Sequence, residues 1–117
     1  MKTRLRVCDL PAALERMGSN VELAREMLDL FREDAPVYQS QLNGALARGD
    51  SAGVQHASHS LRGMLSMFGA EAAMQVAQQL ERMGTEGDLT TALDQTRQLD
   101  SEITRFLKIV SSEMAKL

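Results

Sequence analysis

Aromatic residues, cysteine and proline are all scarce in this chain of 117 residues. Tryptophan is absent, tyrosine occurs once and phenylalanine three times, whereas methionine occurs eight times. A core with so few large rings has to be filled by Leu, Ala, Val and adaptable Met side chains, which suits helices packed on helices. The single cysteine, Cys8, excludes an internal disulfide and agrees with a reducing compartment.

The chain also lacks a large excess of charge of one sign and any long apolar run. A net charge of −3 with interspersed signs gives no basic stripe that could follow a phosphate backbone, so we expect no nucleic-acid partner. No apolar run approaches the roughly 20 residues of a membrane span, and Met1 to Arg6 is not followed by the apolar stretch of a secretory signal. We therefore expect a cytoplasmic protein with no membrane partner.

The apolar residues that are present recur at helical spacing. With 44% hydrophobic residues and no internal repeat, residues 1–117 should form one domain. Short connections favour antiparallel neighbours, so the expected fold is all-α, an up-down-up-down antiparallel four-helix bundle with a short N-terminal lid helix, and a monomer. The expected elements are a lid helix from Asp9 to Gly18, a long helix from Asn20 to Gly49 that is kinked, or else broken, near Pro36, a helix from Ser51 to Phe68, a fourth helix ending at Gly84 or Gly87, and a last helix capped by Asp88.

His59 is the most informative residue of the third helix. Each helical residue advances about 100°, so one buried stripe comprises Val54, Ala57, Leu61, Leu65 and Phe68. His59 then lies about 160° from Leu61 and faces away from the core. The same arithmetic places Gly63, Ser66 and Ala70 beside it, with Arg62 toward one flank and His56 toward the other. The sequence therefore predicts an accessible imidazole among small side chains.

An exposed imidazole beside a cation and a glycine suits phosphoryl transfer. A neutral imidazole nitrogen is a nucleophile toward phosphorus, and histidine has an ordinary pKa of about 6.5. Arg62, one turn along, can contact phosphoryl oxygens, and Gly63 leaves room for an incoming protein. The chain has no glycine-rich nucleotide loop or Walker motif, so we expect a phosphoryl carrier without kinase activity of its own.

We expect no metal site and no cofactor in this chain. His56 and His59 lie three residues apart on one side of a helix, but the sequence offers no third ligand. No acidic cluster stands at plausible Mg²⁺-ligand positions near His59 either. A metal that organises in-line transfer would then belong to the partner.

Taken together, these motifs resemble the histidine phosphotransfer (HPt) domain of multistep phosphorelays. The resemblance rests on His59-Ser60-Leu61-Arg62-Gly63 with Gly69-Ala70 downstream, on Leu28-Asp29-Leu30-Phe31 and Gly49-Asp50 before it, and on Leu80-Glu81 after it. It implies a four-helix bundle whose exposed histidine takes phosphate from a receiver-domain aspartate and passes it to another receiver, with Mg²⁺ held by the receiver. The implied partners are response-regulator receiver domains and a hybrid sensor histidine kinase. The initial Met1 and the complete bundle favour a free-standing protein over a piece of such a kinase.

The resemblance also implies roles for individual residues. His59 is the phosphorylated residue, Arg62 matches a basic position that is usually lysine, and Gly63 matches the access glycine. Glu81, with Gln78 as a substitute, matches a polar residue of the next helix that hydrogen-bonds the histidine and fixes its tautomer. Met64 and Met67 stand where smaller residues are usual. We assign Met64 to packing and place Met67 in a docking rim with His56 and Ser66.

Two other functions fit part of the pattern. A helical adaptor that binds and sequesters a receiver without being phosphorylated would need the same surface. Ser58 to Arg62 also resembles the phosphoacceptor box of sensor-kinase dimerisation helices. That box is normally followed by a proline, and Gly63 stands there instead.

Overall fold

The computed structural model describes residues 4–117 and places five α-helices in that range, with no strand. The helices are α1 (Leu10–Arg16), α2 (Val21–Arg48), α3 (Ser51–Ser66), α4 (Glu71–Glu86) and α5 (Ala92–Met114). Met1–Thr3, which begin the segment analysed for a signal and the expected domain, lie outside the described residues. Across residues 4–117, no helix combines the length and the apolarity needed to cross a bilayer.

Helices α2 to α5 form the bundle that the sequence predicts. α2 packs on α3 and α5, and α4 packs on α3 and α5, so the four helices close a ring around one core. The hydrogen bonds from Gln39 to Asp100 and from Arg32 to Ser111 show that α2 and α5 run in opposite directions. Phe106 of α5 lies at the centre of this core, with its ring centroid 5.2 Å from that of Phe31 and 5.8 Å from that of Phe68.

The short N-terminal helix covers one end of the bundle, as the sequence predicts. Leu10 and Ala13 are buried, and the Asp9 side chain caps α1 by accepting from the amide of Ala12 at 3.2 Å. The Asp9 amide also donates to the carbonyl of Phe68 at 2.8 Å, which ties this segment to the end of α3. α1 thereby closes the bundle where α3 turns into α4.

Local chemistry fixes where α2 and α3 begin and end. The Asn20 side chain accepts from Leu23 N at 3.0 Å and begins α2, which continues through Pro36 as a single helix. Gly49 adopts φ +65°, a left-handed conformation that favours glycine, and the Asp50 side chain then caps α3 by accepting from Gly53 N at 2.9 Å. α3 ends at Ser66 rather than Phe68, and Gly69 follows at φ +61°.

Of two expectations about the second half of the chain, the Asp88 cap is wrong, and α4 ends at Gly87, one of its two expected ends. Asp88 does not cap α5, because its carboxylate accepts from the amide and hydroxyl of Thr90 in a local turn, and α5 begins only at Ala92. α4 continues past Gly84, which is buried inside the helix, and ends before Gly87 at φ +75°. A Cβ at Gly84 would lie 2.5 Å from the backbone nitrogen of Gln55, so this glycine permits the close approach of α4 to α3.

Candidate functional site

His59 lies on the outer face of α3, as its helical phase predicts. The predicted stripe of Val54, Ala57, Leu61, Leu65 and Phe68 is buried, whereas 59% of the His59 side chain is exposed. Leu61 is fully buried on the opposite side of the same helical turn, so the imidazole points outward. The prediction of an exposed imidazole is therefore confirmed.

The two nitrogens of the His59 ring have different surroundings. Nδ1 lies 2.8 Å from Oε1 of Glu81, which reaches across from α4. Because a carboxylate only accepts, this contact places the proton on Nδ1 and leaves the lone pair on Nε2. Among the described residues, no hydrogen bond involves Nε2. The nucleophilic nitrogen is thus the one that no hydrogen bond among the described residues occupies, on a side chain that is 59% exposed.

Glu81 holds Arg62 as well as His59. Nε of Arg62 donates to Oε2 of Glu81 at 2.7 Å, and Nη2 lies 3.4 Å from Oε1. Nη2 also lies 3.3 Å from Nδ1 of His59, longer than the contact of that nitrogen with Glu81. These contacts make Glu81 the shared acceptor of a three-residue network between α3 and α4.

The network keeps Glu81 ionised. The hydrogen bond from Arg62, followed by that from His59, holds the pKa of the Glu81 carboxyl below its ordinary value. The same contact with Glu81 raises the pKa of the Arg62 guanidinium. The positive charge of Arg62 offsets the negative charge of Glu81 within this network.

Of the residues that the sequence predicts beside His59, some lie there in the structure and others do not. Gly63 is exposed, and a Cβ there would meet no atom within 4 Å. Arg62 lies on the Nδ1 side of the ring and is hydrogen-bonded to Glu81. Because Nδ1 is occupied by this network, the expected accessibility of the imidazole holds for Nε2 alone. Ala70 does not lie beside His59, because α3 ends before it and Ala70 is buried at the start of α4.

The remaining predicted site residues are Gln78 and the three residues of the expected docking rim. Gln78 is exposed and forms no side-chain hydrogen bond within residues 4–117, so Glu81 alone occupies the position beside the ring. His56 and Ser66 are exposed on the outer face of α3, and Ser66 donates to the carbonyl of Gly63 at 2.6 Å. Met67 is partly buried and lines a groove between α2 and α3.

No cluster suited to a metal ion occurs in the part of the chain that the structure describes: no three His, Cys, Asp or Glu side chains converge there. His56 is exposed and His59 is committed to Glu81 through Nδ1. The residues around His59 therefore supply a nucleophile, a cation and a carboxylate.

The site thus consists of an exposed histidine whose Nδ1 contacts a carboxylate, on an antiparallel helical bundle. The Hpt domain family model matches residues 26–108, and the chain belongs to this family, whose members are phosphocarriers in phosphorelays. The crystal structure of histidine-containing phosphotransfer protein B (HptB) from Pseudomonas aeruginosa PAO1 superposes with a TM-score of 0.86 at 22% identity, covering 97% of this chain and 99% of that one. This likeness shows the shared fold. Among curated proteins, no significant relative matches the chain.

Proposed function

We propose that the chain relays a phosphoryl group between receiver-domain aspartates through Nε2 of His59. Membership of the Hpt family gives it a histidine phosphotransfer role in phosphorelays. The observation that carries the choice of residue is the pairing of a bound Nδ1 with an open Nε2 on the same ring. His56 is also exposed, but no comparable contact orients its ring within residues 4–117.

The proposed transfer replaces the P–O bond of an aspartyl phosphate with an N–P bond to His59. The Nε2 lone pair attacks phosphorus of the receiver's aspartyl phosphate, an N–P bond forms, and the P–O bond to the aspartyl carboxylate breaks. The ring, with Nδ1 still protonated, becomes cationic, and Glu81 accepts the Nδ1 hydrogen bond and offsets that charge. A cationic ring is a good leaving group when the next aspartate attacks phosphorus.

Arg62 and Gly63 have the supporting roles in this proposal. Nη2 of Arg62 lies 3.3 Å from Nδ1 of His59, and in this proposal the guanidinium turns from Glu81 toward the phosphoryl oxygens when Nε2 is phosphorylated. Gly63 leaves the outer face of α3 open next to the imidazole. Following the HPt resemblance, we place Mg²⁺ on the receiver. A cytoplasmic location, a monomeric state and a single domain over residues 1–117 stay predictions from the sequence.

The test is phosphate transfer from receiver domains labelled with radioactive acetyl phosphate in the presence of Mg²⁺. We expect one acid-labile, alkali-stable label on the chain, and no label from ATP alone. His59→Gln should abolish labelling while the circular dichroism spectrum stays the same, and His56→Gln, the matched control on the same helix, should label normally. Labelling that survives His59→Gln would overturn the assignment, and undiminished receiver inhibition by that variant would favour the adaptor function.

A further inference from the structure

Two side chains of opposite charge approach the same nitrogen of His59. Oε1 of Glu81 lies 2.8 Å from Nδ1, and Nη2 of Arg62 lies 3.3 Å from it. A carboxylate only accepts, so its contact needs a proton on Nδ1, whereas a guanidinium only donates, so its contact needs a lone pair there. The two contacts therefore favour opposite tautomers of the ring.

The tautomer decides whether Nε2 can react. With the proton on Nδ1, Nε2 carries the lone pair that attacks phosphorus, and with the proton on Nε2 that lone pair is lost. Glu81, at the shorter distance, favours the reactive tautomer, and Arg62 favours the unreactive one. Arg62 also donates to both carboxylate oxygens of Glu81, at 2.7 and 3.4 Å, which weakens Glu81 as an acceptor for Nδ1. Both effects of Arg62 oppose the reactive tautomer.

The planar guanidinium of Arg62 makes this double contact possible. Its Nε is held on Oε2 of Glu81 while Nη2, fixed in the same plane, reaches Nδ1 of His59. The ammonium of a lysine has no such fork, because its donors share one atom. Arg62 is not packed in place either, since 35% of its side chain is exposed and an open cleft of about 290 Å³, lined in part by Arg62, Glu81 and Arg82, adjoins the pair. The guanidinium can therefore leave Glu81 without disturbing the core.

We propose that Arg62 restrains the resting histidine and that the arriving phosphoryl group removes the restraint. The proposal rests on the proposed relay function, because the receiver's phosphoryl oxygens are the anions that draw the guanidinium from Glu81. Once Arg62 has turned, Glu81 keeps His59 as its partner and holds the proton on Nδ1. The N–P bond then forms as the P–O bond of the aspartyl phosphate breaks, and no proton has to leave Nε2. Arg62 is thus a positioning residue before transfer and a phosphoryl contact during it.

The test uses an electrophile that has no anionic oxygens for Arg62 to bind. Diethyl pyrocarbonate is neutral, and the imidazole lone pair attacks its carbonyl carbon, which leaves an ethoxycarbonyl group on the ring and releases ethyl carbonate. Tandem mass spectrometry gives the rate at His59 relative to that at His56, an exposed histidine of the same helix. Arg62→Met should raise this ratio about twofold at pH 8 and at pH 9, because an ordinary imidazole is neutral at both. The same variant should slow transfer from the phosphorylated receiver about tenfold.

The ¹⁵N chemical shifts of the His59 ring give the tautomer ratio directly. In Arg62→Met the ratio should move about threefold toward the Nδ1–H form, since a hydrogen bond to an exposed ring contributes little. Arg62→Lys separates the two roles of Arg62, because it keeps a cation for the phosphoryl oxygens and loses the fork. It should react with diethyl pyrocarbonate as Arg62→Met does, yet transfer phosphate within about threefold of the unaltered rate. Gln78→Ala, on the same cleft, is the control and should change none of these quantities.

The restraint and the relay can fail separately. If Arg62→Met leaves the His59 to His56 ratio and the tautomer unchanged, or lowers the ratio, the restraint is overturned while labelling of His59 still supports the relay. If the Nε–H resonance of Arg62 stays the same when the chain is phosphorylated, release by the phosphoryl group is overturned. If reactivity and tautomer both respond to Arg62→Met but no receiver labels His59, the relay proposal fails and the restraint remains.

Discussion

Replacement of Glu81 tests the central contact of the site. Its Oε1 lies 2.8 Å from Nδ1 of His59, and only 18% of the Glu81 side chain is exposed. A hydrogen bond to a charged group contributes about 1.5–3 kcal/mol. Because the imidazole itself is exposed, we take a value just below this range, about 1.4 kcal/mol, which corresponds to about tenfold in the ratio of the two tautomers. The same interaction also stabilises the cationic ring that forms during transfer, so Glu81→Ala should slow phosphate acceptance by up to about tenfold.

Glu81→Gln separates hydrogen bonding from charge. Its amide oxygen can still accept from Nδ1, but a neutral acceptor is about half as strong, so we expect about a threefold loss. Rapid-mixing transfer from a labelled receiver gives the rates, and ¹⁵N chemical shifts of the imidazole give the tautomer, which a purely structural role of Glu81 would not change. Gln78→Ala, one turn earlier on α4, is the control and should change neither quantity. Equal rates for Glu81→Ala and the unaltered chain would refute the reasoning.

The remaining predictions concern stability and reactivity. Gly63→Ala should stabilise the fold by about 0.5–1 kcal/mol in a thermal melt, because no atom obstructs the new Cβ, yet slow transfer if this face admits the receiver; unchanged transfer would remove its access role. Gly84→Ala should destabilise the chain by about 1–3 kcal/mol in urea, because its Cβ would lie 2.5 Å from Gln55 N; a neutral effect would contradict the close approach. Burial and Glu113 raise the pKa of Cys8 to about 11, so iodoacetamide at pH 8 should alkylate the folded chain far more slowly than the urea-unfolded chain, and equal rates would contradict this. Arg62 lowers the folded-state pKa of Glu81, so their pair stabilises the fold above the ordinary pKa of 4.5 and this contribution is lost as pH falls through the lowered value; an Arg62→Ala chain should show a smaller loss in acid titration followed by circular dichroism.

Helical phase accounts for what the sequence predicted well. The buried stripe of α3 and the exposure of His59 depend only on residue spacing within one helix, and the structure agrees with both. Gly49 and Gly69 likewise mark local backbone conformations, since both have positive φ. Such features need no knowledge of neighbouring helices.

Features that depend on contacts between helices were harder to predict. The sequence placed Arg62 beside the phosphoryl group but did not predict its bond to Glu81, which forms because α3 and α4 approach closely at Gly84 and bring that carboxylate within reach. Gly84 was itself taken as a possible helix end, since a glycine signals a cap and a close contact equally well in sequence. Asp88 failed as a cap because a hydroxyl two residues on competes for its carboxylate. The seven-residue spacing of Leu23, Leu30 and Val37 indicates that they share one side of α2, but only the structure shows that this side is exposed.

The hydrophobic core extends beyond the residues that the family model matches, and α1 belongs to that core. The family match begins at residue 26, yet Leu10 and Ala13 are buried, and the backbone of Asp9 bonds to that of Phe68. Val110 and Met114, beyond the other limit of the match, are buried as well. An excised fragment trimmed to the matched residues would lack these four buried side chains, so expression boundaries should follow the hydrophobic interior and include both flanks.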